Sequence, residues 1–305
     1  MFRFLVRRTG FIIFVLIFIV YAVYLGMGMS DNSQAGNPDY NLVPFSQQAW
    51  QQTRSFFSGV VRGDFGTVPT ATGEMPITEL MVDAYGKSMG LLLVSLALAA
   101  FVGIFLGARA ALRRHNVSPS TLLLITLVGI SVPSFFAALL LQRGAIRYMQ
   151  ISGTRLVSAS GFAWDWDHML LPVLVLSARP LAYLTRATFL SLSQVMDRDY
   201  IRTAYAKGLR RFGILGRHAF RNLAIPVLTA IGVSLRFSLA SLPVVEYFFN
   251  WPGIGFHTLA SISNQQTEVV VSLAFALGLT FLLVNLMLDI SYQLIDPRLR
   301  TADDN

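Results

Sequence analysis

Six mostly apolar stretches, near 9–27, 88–108, 121–142, 168–190, 223–245 and 269–292, constrain this chain more than any other feature. A bilayer core about 30 Å thick takes about 20 residues of helix, and a helix satisfies its backbone donors and acceptors within its own segment. Each stretch approaches that length. Leu, Phe, Val and Ile run together in them instead of alternating with polar residues, so the apolar excess is not one soluble core spread along the chain. Composition agrees: 54% of the 305 residues are hydrophobic and 13% charged, with a mean hydropathy of +0.57, which is too apolar for an ordinary water-soluble domain. The expectation is an all-α integral membrane protein with six transmembrane helices. The first stretch follows Arg3, Arg7 and Arg8 and starts like a signal peptide. It is long for an apolar signal region and its end, Gly26 to Ser30, is a poor cleavage site, so a retained span is predicted.

Cations near span ends resist translocation, so their placement orients the chain. With the N-terminus inside, the cytoplasmic set is Arg3, Arg7, Arg8, Arg109, Arg113, Arg114, the cations from Arg198 to Arg221, Arg298 and Arg300. The opposite side holds Arg54, Arg62, Lys87, Arg143, Arg147 and Arg155, diluted by eight acids. Both termini are therefore expected in the cytoplasm. Outer loops then fall near 28–87, 143–167 and 246–268, with Trp164 and Trp166 suited to an interfacial belt. The long loop carries AWQQTRSFFSGVV, whose apolar residues suit one face of a short helix resting on the membrane surface. The net charge of +8 would suggest nucleic acid in a soluble chain; here it follows from retained cytoplasmic cations. The partner it implies is membrane lipid and no nucleic acid. With no cysteine, disulfides and thiolate metal sites are excluded.

Arg179 and Arg236 fall inside expected spans, where a centred Arg costs about 2.5 to 3.5 kcal/mol. Two placements remain open: lining a translocation path or gate, or pairing with a neighbouring helix or carbonyl. Pro133, Pro180, Pro226 and Pro243 also interrupt spans, which a bundle tolerates where neighbours satisfy the freed carbonyls.

Between the fourth and fifth stretches runs DYIRTAYAKGLRRFGILGRHAFRN, from Asp199 to Asn222, rich in cations. It reads as helix, break, helix. Asp199 suits an N-cap; Ile201, Ala204 and Tyr205 share a face; Lys207 and Gly208 supply a cation in the last turn followed by a terminating glycine. A short cytoplasmic helix of this kind suits either a docked protein partner or anionic lipid headgroups.

The same stretch resembles the EAA loop of ABC importer permeases, in the form of the dipeptide, oligopeptide and nickel permease family. Asp199-Tyr200, Arg202-Thr203-Ala204, Ala206-Lys207-Gly208-Leu209, Arg217-His218, Arg221-Asn222, Pro226-Val227 and Thr229 carry the likeness. GDFGT at Gly63 to Thr67, ISVPSFFAALLL, VVEYFFNWPGIG at Val244 to Gly255, and LDISYQLIDPRLR, with Asp296 to Arg298, agree with it. The resemblance runs from about residue 60 to the end; the Pro-Gly-Asp-Pro turn after span one is missing, and ASLPVVE replaces a glycine-containing run.

The resemblance implies a type I ABC importer permease fold in the cell's inner (cytoplasmic) membrane. Residues 1–30 would form the N-terminal tip and first span, 31–87 an outer loop, 88–292 a five-helix core containing the coupling loop 195–222, and 293–305 a cytoplasmic tail. Its coupling residues would be Asp199, Tyr200, Arg202, Thr203, Ala204, Ala206, Lys207, Gly208, His218 and Asn222. Glu246, Pro252, Gly253 and Gly255 join Arg179 and Arg236 as candidates for the path or its gate. The implied partners are a second, different permease chain, two cytoplasmic ABC ATPase subunits and an extracytoplasmic solute-binding protein. ATP and Mg would sit on the ATPases, with no cofactor or metal on this chain. The implied role is half of a translocation path for dipeptides or oligopeptides; nickel chelates or oligosaccharides are the alternatives, and an ion-gradient-driven secondary transporter is an alternative of another class.

An enzyme would need a catalytic constellation. His115, His168, His218 and His257 are scattered, without metal-ligand spacing. Tyr85 to Ser88 reads YGKS, like the end of a phosphate loop, but Met81 stands where its first glycine is required. A secondary carrier of two related halves would show an internal repeat, and none is visible.

Overall fold

The computed structural model describes residues 2–34, 42–70, 73–112, 119–208 and 220–295. Ten helices occur among them: α1 Phe2–Gln34, α2 Leu42–Arg62, α3 Ile77–Leu112, α4 Pro119–Ser131, α5 Ser134–Ser152, α6 Trp166–Met196, α7 Asp199–Ala206, α8 Phe220–Phe249, α9 Ile254–Ser263 and α10 Thr267–Ile295. Two strands, β1 Thr67–Thr70 and β2 Gly73–Pro76, form an antiparallel hairpin in which Thr67 faces Pro76. The chain divides into two compact units, Met1–Met89 with Asn250–Asn305, and Gly90–Phe249.

In the first unit, α1 and α10 run antiparallel. Arg8 pairs with Asp289, and about 24 Å further along α1, at 1.5 Å per residue, the Tyr24 hydroxyl donates to Glu268 at 2.9 Å. The start of α1 therefore lies beside the end of α10. Ile12, Leu16, Val20 and Tyr24 recur every fourth residue on α1 and pack with Val271 and Phe275. Ala49 and Phe56 of α2 complete that cluster. The apolar face of α2, expected on the membrane surface, is thus buried against protein. Its stripe meets matching stripes on α1 and α10, and burying a Phe side chain is worth about 1.5–3 kcal/mol. The GDFGT segment turns sharply: Gly63 and Gly66 have φ of 74° and 83°, and the Asp64 carboxylate accepts the Gly66 N–H at 2.9 Å. This turn launches the hairpin, which the apolar spacing did not reveal.

In the second unit, α6 and α8 form the central pair, with α4 and α5 packed on α6 and α5 also on α8. Gly103 and Gly107 bring α3 against the α6 backbone; a methyl at Gly107 would stand 2.4 Å from the Thr185 carbonyl oxygen.

Among the described residues, five helices are long and apolar enough to cross a membrane: Val6–Ser30, Ile77–Leu112, Trp166–Met196, Leu223–Phe249 and Thr267–Ser291. The stretch expected as the third span, 121–142, is two helices. Pro133 has no N–H to continue α4 and sits at the N-cap of α5 with extended backbone. Helix α4 alone rises only about 20 Å, and α5 carries Arg143 and Arg147. Pro180, Pro226 and Pro243 remain inside continuous helices.

Candidate coupling helix and path residues

Helix α7 follows α6 after a short turn, with the N–H groups of Ile201 and Arg202 donating to the Arg198 carbonyl. It is eight residues long, DYIRTAYA. Ile201 is 0% and Ala204 5% exposed, packed with Met196 of α6. One turn of inward-facing residues therefore holds the helix to the protein. Asp199, Tyr200, Arg202, Thr203, Ala206, Lys207 and Gly208 all face outward. Asp199 and Arg202 approach to 3.6 Å while both remain exposed, so this pair adds little stability. The helix ends with the Lys207 N–H bonded to the Thr203 carbonyl at 3.0 Å. Gly208 then adopts φ 75°, the left-handed conformation that favours glycine after a last turn. Of the expected coupling residues, Ala204 alone turns inward; His218 and the Asn222 side chain lie outside the described residues.

Arg179 lies at the break between α4 and α5. Its Nε donates to the Ile130 carbonyl at 3.2 Å, and its guanidinium stands 5.8 Å from the centre of the Phe237 ring. The Ile130 carbonyl would otherwise seek the Ser134 N–H across the Pro133 break. Arg179 thus takes the carbonyl pairing left open in the sequence reading, while it also lines a small pocket with Gly129, Ser134, Ala137 and Ser241. Arg236 is half-buried on α8. Glu246, expected in a loop, is inside α8 and 0% exposed.

Pro252, Gly253 and Gly255 belong to the first unit, the first two in the turn between α8 and α9 and Gly255 in the first turn of α9. Asn250 has φ 50°. Trp251 is fully buried and its indole N–H donates to the Lys87 carbonyl at 3.1 Å. Gly253 opens α9, and the Ile254 N–H is accepted by the buried Ser88 hydroxyl at 2.8 Å. The YGKS segment thus anchors a turn through Lys87 and Ser88. Trp251 and Ser88 were missed as positioning residues; a Trp beside Pro-Gly was the only sequence hint. His257 on α9 titrates below its ordinary range, chiefly because it is partly buried and secondarily because of the Lys87 charge, with Asp83 opposing.

Residues 103–301 match the family model described as the inner membrane component of binding-protein-dependent transport systems. A probable peptide ABC transporter permease of Sinorhizobium fredii is 32% identical over 246 residues, 80% of this chain and 78% of the relative. The dipeptide transport system permease of Escherichia coli is 30% identical over 276 residues, 82% and 81% of the two chains. The glutathione transport system permease of Salmonella choleraesuis is 31% identical over 257 residues, 84% and 80%. A multi-pass membrane chain with these matches belongs to the binding-protein-dependent transport family. It is an ABC importer permease, a non-catalytic subunit.

Proposed function

We propose that the chain is one of two different permeases in a peptide importer of the cytoplasmic membrane, and that α7 docks it to a cytoplasmic ATPase. The observation that carries this reading is the division of α7. Ile201 and Ala204 fasten it to the protein while a continuous face from Asp199 to Gly208 is left outward. A membrane protein that only rested this segment on lipid would turn its apolar residues toward the bilayer. In this reading the six-span topology holds, with α4 and α5 as one broken span, and both termini lie in the cytoplasm. ATP and Mg are bound by two partner ATPases and cargo is delivered by an extracytoplasmic binding protein. Peptide is the cargo class that the names of the relatives support. Glu246, Arg236, Pro252, Gly253 and Gly255 are assigned to the path or its gate, and Arg179 supports that path through the α4–α5 break.

Gly208→Val tests the docking. A β-branched residue is strained at φ 75°, although a Cβ there meets no atom within 4 Å, so the substitution acts on the backbone exit of α7 alone. Membrane insertion is expected to persist while uptake falls about tenfold or more, the effect of about 1.4 kcal/mol, with ATP hydrolysis no longer stimulated by loaded binding protein. Normal uptake in this variant contradicts the assignment. A ligand panel of peptides, nickel chelates and oligosaccharides, scored by the same stimulation, identifies the cargo.

A further inference from the structure

Residues 153–165, between α5 and α6, fold across the end of α8. The Gln142 side-chain amide donates to the Ala159 carbonyl at 3.0 Å and to the Phe248 carbonyl at 2.9 Å. The Gly161 N–H donates to the Phe249 carbonyl at 2.8 Å. The last carbonyls of a helix have no partner within it; two of those on α8 are met by Gln142 and by this segment. Nearby, the Trp164 ring lies over Gly90 of α3, where an added Cβ would stand 2.3 Å from it.

The two ends of the segment are fixed independently. Gly153, at φ 66°, closes α5 and donates to the Met149 carbonyl at 3.0 Å. Asp165 caps α6 by accepting the His168 N–H at 2.9 Å, and Arg155 pairs with Asp167. The middle is held differently. Val157, Ala159, Gly161, Phe162 and Ala163 are half-buried and Ser158 is buried, and neutral hydrogen bonds tie this stretch to Gln142, to Phe249 of α8 and, through the Ser158 N–H at 2.9 Å, to the Asp167 carbonyl of α6. A loop segment held by a few neutral hydrogen bonds opens at a lower free energy than the long helices it joins. Glu246 lies on α8 within one turn of the tied carbonyls and is completely buried.

We infer that residues 153–165 are a strap that lifts from the outer end of α8 during transport, and that Gln142 is the positioning residue holding it against α8. The inference rests on the reading of the chain as an ATP-driven permease with this segment outside the cell. Lifting the strap requires the Gln142 amide to release Ala159 and Phe248, and the Gly161 N–H to release Phe249.

The native chain has no cysteine, so a single thiol reports on the strap. Ser158→Cys places one at a buried position within it, to be labelled from outside by a membrane-impermeant maleimide in proteoliposomes of the complete transporter. Labelling is expected to be about fivefold or more faster with the ATPases trapped by vanadate than without nucleotide, a change in the range of ordinary allosteric couplings. Gln142→Leu, and Gln142→Glu, which keeps the shape but loses the amide donors, are expected to label fast in both states. Gly90→Ala, which displaces Trp164, is expected to do the same. Ala163→Cys repeats the measurement should Ser158→Cys disturb folding. Equal labelling in the two nucleotide states, or unchanged labelling in Gln142→Leu, overturns the strap. Stimulation of ATP hydrolysis by loaded binding protein, measured on the same vesicles, separates the two claims. State-independent labelling with normal stimulation removes the strap only, whereas lost stimulation in the otherwise native chain removes the permease reading.

Discussion

At Gly107 the α6 backbone comes so close that a single methyl would stand 2.4 Å from the Thr185 carbonyl oxygen and 2.8 Å from the Thr188 Cβ. Backbone cannot swing aside as a side-chain tip does, so Gly107→Val is expected to cost about 1–3 kcal/mol by overpacking, read as a lower melting temperature in detergent. Gly86→Ala on the same helix meets nothing within 4 Å and is expected to leave stability unchanged or raise it by up to about 1 kcal/mol. His257 makes a pH prediction. Its free value is 6.5 and its folded value is lower, chiefly through burial and next through Lys87. The folded state therefore binds the proton less readily than the unfolded chain. Stability is highest above about pH 6.5, falls as pH drops toward the folded value, and levels off below it. Thermal melts between pH 5 and 8 are expected to show this slope in the native chain and a shallower one in His257→Gln.

Among the elements, the junction of α4 and α5 distinguishes two roles for Arg179. Where it chiefly supports the break, Arg179→Met strands the Ile130 carbonyl and lowers stability by about 1–3 kcal/mol. Where it serves the path alone, the melting temperature is unchanged and only transport suffers. Helix α7 was legible in the sequence because its signals are local: three-residue spacing of Ile201 and Ala204, and a glycine where the chain must leave the helix. The break at Pro133 was not, because counting apolar residues registers length and not continuity. Four prolines carried the same signal and only one breaks its helix; the others are held in register by the packing of α6 and α8, which no local pattern records. The amphipathic stripe of α2 was legible as a stripe, but periodicity says that a face will be covered and not by what. Gln142 sat unremarked at the end of an apolar stretch, since its two acceptors come from Ala159 and Phe248, distant in sequence.

For the molecule as a whole, the Arg8–Asp289 pair fixes the start of α1 beside the end of α10, so thiols at Val6→Cys and Ser291→Cys are expected to label from the same side of the membrane. In the proposed topology, which puts both termini in the cytoplasm, that side is the inner one, and Val61→Cys, exposed on α2, is expected to label from outside. Labelling of Val6→Cys and Ser291→Cys from opposite sides contradicts the antiparallel pair; labelling of both from outside inverts the topology and removes α7 from the cytoplasm. The central claim is that the outward face of α7 meets an ATPase, and cross-linking tests it most directly. Single cysteines at Tyr200, Thr203 and Ala206, coexpressed with the ATPase subunits, are expected to cross-link to an ATPase, whereas cysteines at Ile201 and Ala204, on the buried face, are not. Cross-links of equal yield from both faces, or none from Tyr200, Thr203 and Ala206 in an assembled transporter, contradict the account.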